Sequence, residues 1–158
     1  ISKLQKELRD WTNSILSTLD CNKIVNITPL REQASLRRYF RLTTDMGTKV
    51  GVVSVPESNV NSTFEELSSS LLRNNIKVPR IEASNHRKGF MIVEDFGDKV
   101  LQLEMNLENQ KEFYTEAIHQ IHTIQDIQPF KGLNILSEEP LHTQMRLFDA
   151  SFSTGLWE

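Results

Sequence analysis

The stretch GFMIVEDFGD, Gly89 to Asp98, constrains this chain more than any other. Phe90 to Val93 form a continuous apolar run behind a glycine, which suits a short strand covered on both faces. Glu94, Asp95, Phe96, Gly97 and Asp98 then break the strand with an acidic turn. Residues before this stretch pattern as sheet with helix, and residues after it pattern as helix alone. A strand that leaves into an exposed connector between two such halves reads as a hinge, and small ligands favour the clefts beside hinges. The plain alternative is a core strand followed by an ordinary loop.

Length sets the scale of what such a hinge can join. A chain of 158 residues makes one domain of ordinary size, or a small lobe plus part of another. Hydrophobic content of 38% against 25% charged is that of a soluble globular chain with a real core. Its 18 basic and 21 acidic residues give a net charge of -3, which argues against a nucleic-acid surface. No apolar run approaches a membrane span, so no membrane partner is expected. The single cysteine, Cys21, has no internal disulfide partner, which fits a cytoplasmic location. The chain opens on Ile1 and stops at Trp157-Glu158, just after an aromatic-rich segment, so an incomplete protein is expected.

Taken in order, Leu4, Leu8, Trp11, Ile15 and Leu19 recur at helical spacing and predict an amphipathic helix over 3–19. Three strand-like runs follow, Ile24 to Ile27, Arg37 to Thr43 and Lys49 to Val55. The last two flank an Asp- and Gly-bearing hairpin connection. In the second strand Arg37, Tyr39 and Arg41 share one face, and Arg38, Phe40 and Leu42 the other. Ser58 to Thr63 reads as a loop, with Thr63 and Glu66 forming a capping box for a helix that ends at Asn74-Asn75. A strand near Arg80 to Ala83 and the hinge strand complete a sheet. Beyond it, Phe113, Ala117, Ile121, Ile124 and Ile127 predict a helix over 107–127, and a last helix is expected from about Ser137.

Few of the familiar chemical motifs are present. His119 and His122 could share a helix face, but no carboxylate or cysteine completes a metal set with them. No G-x-x-x-x-G-K-[ST] or G-x-G-x-x-G loop occurs, and Ser35 lacks the surroundings of a hydrolase nucleophile. Arg37, Arg38 and Arg41 could bind anions, but solubility of an edge strand explains them as well. REQASLR, joining two strands through a small Ala-Ser tip, could lay backbone N–H groups against a phosphate or be a plain turn.

Together, ASLRRYFRL (34–42), FEELSSSLLRNNIKVPRI (64–81) and GFMIVEDFGD (89–98) resemble the aminoglycoside phosphotransferase and choline kinase family. Within it, the chain is most similar to the bacterial N-acetylmuramate/N-acetylglucosamine anomeric sugar kinases, and LHTQMRLF (141–148) resembles a later helix of that branch. The resemblance runs from about Thr28 to Phe148. It implies an α+β fold. A protein-kinase-like N-terminal lobe over 1–95, a five-strand antiparallel sheet plus helix, would precede the first helices of an incomplete C-terminal lobe over 96–158. It also implies that Gln33, Ala34 and Ser35 loop over the ATP phosphates, and that Val53 lines the roof of the adenine pocket. Val93, Glu94 and Asp95 would form the hinge whose backbone meets adenine, and Glu65 or Glu66 would stand where the family pairs its phosphate-binding lysine.

Two departures accompany the resemblance. The third strand reads KVGVVSV, with Val53 or Ser54 in place of that lysine and Lys49 only nearby. The family's catalytic H-G-D-x-x-x-x-N loop and its metal-binding Asp do not occur in these residues, so no catalytic or metal residue is assigned. The expectation is the N-terminal part of an ATP-dependent small-molecule phosphotransferase. It would act on an amino sugar or related hydroxyl substrate, with Mg2+ held elsewhere, and be inactive as this fragment. The alternative is a non-catalytic kinase-like module for regulation or partner binding. Exposed C-terminal helices would make an oligomer. Because the hinge would work through its backbone, Asp95→Ala is expected to cost nucleotide binding much less than Asp95→Pro.

Overall fold

Strands β2 (Arg38–Thr44) and β3 (Gly47–Val53) form the expected hairpin in a computed structural model that describes residues 3–30, 37–56 and 60–129. Thr44 pairs with Gly47 across Asp45 and Met46, and the Thr44 hydroxyl donates to the Gly47 carbonyl at 2.8 Å. Asp45 ties this tip to the chain entering β1 (Ile24–Pro29). Its carboxylate accepts from the Asn22 N–H at 3.1 Å and the Asn22 side-chain amide at 3.0 Å. Strands β4 (Ile81–Asn85) and β5 (Phe90–Glu94) complete one five-stranded sheet in the order β1-β2-β3-β5-β4, every neighbour antiparallel. The fold is α+β with a five-strand antiparallel sheet, as expected.

Both faces of this sheet are covered. On one, helix α1 (Lys3–Asn13) brings Leu8 and Trp11 against Phe40, Leu42, Val53, Phe90 and Ile92. Gly51 permits that approach, since a Cβ there would stand 2.9 Å from the Leu8 Cδ2 methyl. On the other face Val52, Met91 and Val93 form a smaller cluster, joined by Tyr39, Val50, Ile81 and Phe64 from helix α2 (Val60–Arg73).

Three helical expectations need correction. The first helix stops at Asn13 and continues as a 3-10 turn over Leu16–Leu19. Hydroxyls intervene there: Thr12 Oγ1 donates to the Leu8 carbonyl at 2.8 Å and Ser14 Oγ to that of Trp11 at 2.6 Å. The break leaves Ile15, Leu16 and Leu19 on the same core. Helix α2 begins at Val60, so Thr63 lies inside it and the Thr63–Glu66 capping box does not start it. The polar residues at 61–63 cost a helix only tenths of a kcal/mol each, roughly, and did not keep the chain a loop. The end at Asn74-Asn75 is as expected: Asn75 takes the left-handed conformation at φ 61 and Ile76 N–H returns to the Leu71 carbonyl at 3.0 Å.

After Glu94 the described chain is helical. A short helix α3 (Leu101–Glu104) was not foreseen, and α4 spans Gln110–Gln125 rather than 107–127. Its start is set by Asn106, whose side-chain carbonyl accepts from the N–H groups of Glu108 at 2.9 Å and Asn109 at 3.1 Å. No residue of α4 is buried, and Ile121 and Ile124 of its apolar stripe are exposed. The helix expected from Ser137 lies outside the described residues. Among the described residues, no helix is long and apolar enough to cross a membrane.

Candidate functional site

The sheet face beneath α2 is incompletely filled, and the gap is a cavity of about 300 Å3. Its floor is the sheet itself: Tyr39 from β2, Val50 and Val52 from β3, Met91 and Val93 from β5. Phe64 of α2 and Pro79 wall one side. Glu94 to Asp98, the connector leaving β5, form the rim. Strand parity explains this lining, because Val50 and Val52 share a face of β3 while Lys49, Gly51 and Val53 share the other.

The rim is held by charges. Arg41 Nε donates to Asp95 Oδ2 at 2.7 Å and Arg41 Nη2 to Asp95 Oδ1 at 3.2 Å, a two-pronged pair. Arg41 Nη1 donates to Asp98 Oδ2, also at 2.7 Å. The Asp95 side chain is 3% exposed and that of Asp98 is 81% exposed. Gly97, at φ 81, turns its N–H back onto Asp95 Oδ1 at 2.9 Å. Burial alone would push the Asp95 carboxyl up, but hydrogen bonds from Arg41, the Gly97 N–H and Thr48 outweigh it and hold it below the usual carboxylate range. The Arg41 hydrogen bond lowers Asp98 as well, and both carboxylates raise Arg41.

Several expected residues meet at this cavity. Val93, Glu94 and Asp95 all line it. The backbone edge shifts by a residue or two, however, because the Glu94 N–H is already bonded to the Arg80 carbonyl at 2.9 Å. The register of β3 and β5 directs the Asp95 N–H toward β3, while among the described residues no group accepts from the N–H of Phe96, which also lines the cavity. Gln33, Ala34 and Ser35 lie outside the described residues; Leu30 and Arg37, on either side of 31–36, both line the cavity. Arg37 rests over the Phe64 ring at 4.9 Å.

Other expected residues are elsewhere. Val53 points into the α1 side of the sheet, 6% exposed beside Leu8 and Phe40, so Val50 and Val52 take the lining role expected of it. Glu65 turns to the β4–β5 connection, with Oε2 3.3 Å from His86 Nε2, and Glu66 is exposed; neither lines the cavity. Lys49 pairs with Glu82 at 2.5 Å on the same side as Val53. No lysine–glutamate pair therefore reaches the cavity among the described residues.

Arg41 was the residue that sequence reasoning missed as a site. Solubility of an edge strand does not account for it, since β2 pairs with both β1 and β3. The available signal was an arginine on the Tyr39 face of a strand paired on both sides, together with two carboxylates three residues apart just past the hinge strand. The chain matches no family model and no curated protein.

Proposed function

We propose that this chain is the nucleotide-binding part of an ATP-dependent small-molecule phosphotransferase, with a kinase-like lobe over 1–95 and helices of a second lobe from 96. The observation that supports it is the coincidence of the apolar cavity with the connector. Val93, Glu94 and Asp95 line one space, and the Phe96 N–H beside it has no acceptor among the described residues. A flat apolar ring with one hydrogen-bonding edge suits such a place. Its volume falls at the lower end of small-molecule pockets, roughly 300 to 1,000 Å3.

The fit extends to the nucleoside and stops there. Arg41 is neutralised by Asp95 and Asp98, and the exposed Asp98 leaves the rim acidic, which disfavours phosphate at that end. Among the described residues no group of three or more His, Cys, Asp or Glu is placed to hold a metal ion. The amino-sugar acceptor, the Mg2+ ligands and the transfer step would belong to other residues than those lining this cavity. A cytoplasmic location goes with this reading.

Titration of labelled protein with adenosine, ADP and ATP tests it. Amide shifts should centre on Val93–Phe96. All three ligands should bind in the same millimolar range, roughly −4 kcal/mol, because the phosphates add little. Saturating adenosine that moves none of those amides would end the proposal.

A further inference from the structure

We infer that Arg41 is a positioning residue: by gripping Asp95 and Asp98 from two strands away, it sets the connector edge that reads the purine, which deepens the function proposed above and rests on it.

The sheet shows how this works. Arg41 pairs with Val50 on β3, and Val50 pairs with Val93 on β5, so the three form one row across the cavity face. To reach Asp95, the guanidinium must cross β3, a span of roughly 10 Å over two strand spacings. Three of its five N–H donors are then spent on the connector, two on Asp95 and one on Asp98. Although Arg41 lines the cavity, its charge is turned to the rim.

Thr48 also hydrogen-bonds the Asp95 carboxylate and Lys77 lies over the Phe96 ring at 5.7 Å, but neither fixes the orientation of the connector as a two-pronged pair does. The connector carries no ladder pairing beyond Glu94, where the β3 and β5 register ends at Lys49. Within it, the Gly97 N–H bonds to Asp95, and that bond depends on where Asp95 is held. Phe96 lies between Asp95 and Gly97, so the direction of its N–H follows from the same anchor. A two-pronged arginine–carboxylate pair fixes orientation as well as distance, which a lysine would not do. The fold thus places a two-pronged clamp directly behind a backbone edge that the cavity offers to a ligand.

The experiment compares adenosine with inosine, which differ at the purine edge, on the wild type, Arg41→Met, Arg41→Lys and Asp98→Asn. Amide exchange of Gly97 is measured alongside, without ligand. The wild type should prefer adenosine by about tenfold, the worth of roughly one well-placed hydrogen bond. Arg41→Met should bring that ratio close to one and expose the Gly97 amide to exchange, and Arg41→Lys should restore only part of the preference. Asp98→Asn changes an exposed side chain, so it keeps the test open if Arg41→Met does not fold; it should give an intermediate ratio. A folded Arg41→Met that keeps the full preference, or an Asp98→Asn that keeps it with the Gly97 amide still protected, overturns the inference while leaving the nucleotide reading intact. A wild type that binds adenosine no better than inosine also overturns the inference, whereas the nucleotide reading falls only if saturating adenosine moves none of the Val93–Phe96 amides.

Discussion

Asp95 carries a charge in a place that is almost dry, and its cost is met by bonds rather than by water. With its side chain 3% exposed, it accepts from Arg41 at 2.7 and 3.2 Å and from the Gly97 N–H at 2.9 Å. The expectation that Asp95→Ala costs nucleotide binding little leaves its cost in stability open, and these bonds set that cost. Truncation would strip Arg41, itself 20% exposed, of its two-pronged partner. We expect Asp95→Ala to lower stability by about 1–3 kcal/mol, the range for losing hydrogen bonds to charged groups. Urea unfolding checks this, and an unchanged midpoint would show the clamp to be idle. Gly51 is a second test at this scale: an added methyl would press on the buried Leu8 at 2.9 Å, so Gly51→Val should cost about 1–3 kcal/mol by overpacking. Such detail was only partly legible in the sequence. GVVSV is apolar without alternation because β3 is covered on both faces, and no pattern then says whether Val52 or Val53 meets a ligand.

Elements were more legible than their ends. Five strands, the α2 stop at Asn74-Asn75 and the β2–β3 turn all follow from apolar runs and turn residues. The break at Asn13 depends on which hydroxyl bonds which carbonyl, which propensity does not encode. Two elements are tethered by carboxylates, and both tethers should respond to acid. Asn22 holds Asp45 low at the hairpin tip, and Arg41 holds Asp95 and Asp98 low at the connector. A carboxyl whose folded pKa is depressed contributes stability above its unfolded value, about 3.9, and loses it as pH falls through the folded value. The urea midpoint should thus not vary with pH on account of these groups between pH 7 and about 5, where their contribution is fully present, and should decline below about 4. Asp45→Asn should lessen that decline; an acid decline of equal size in wild type and Asp45→Asn would assign it to other carboxyls.

At the scale of the whole molecule, a five-strand antiparallel sheet could be anticipated, but the succession of helix, three strands, helix and two strands does not say that β5 lies between β3 and β4. The cavity could not be anticipated either, because it exists where α2 meets the sheet through Phe64 and leaves the rest of that face open. Apolar surface is divided just as unevenly along the chain. Of the thirteen large apolar residues left exposed among the described residues, nine lie after Glu94, with Leu103 at 78% and Leu107 at 87%. Tyr114, Ile118 and Ile121 add an exposed stripe on α4, where no residue is buried. Water penalises such surface at roughly 25 cal/mol per Å2, and contiguous patches of it drive association. The 18.3 kDa chain should therefore associate with itself as concentration rises, through α3 and α4 rather than through the sheet. Light scattering measures this directly. The average mass should climb above that of the monomer by about tens of micromolar, and the double substitution Ile118→Glu with Ile121→Glu should return it to the monomer value. A wild type that stays at 18.3 kDa throughout would mean that these residues tolerate water as they stand. A double variant that associates as the wild type does would move the contact away from α4.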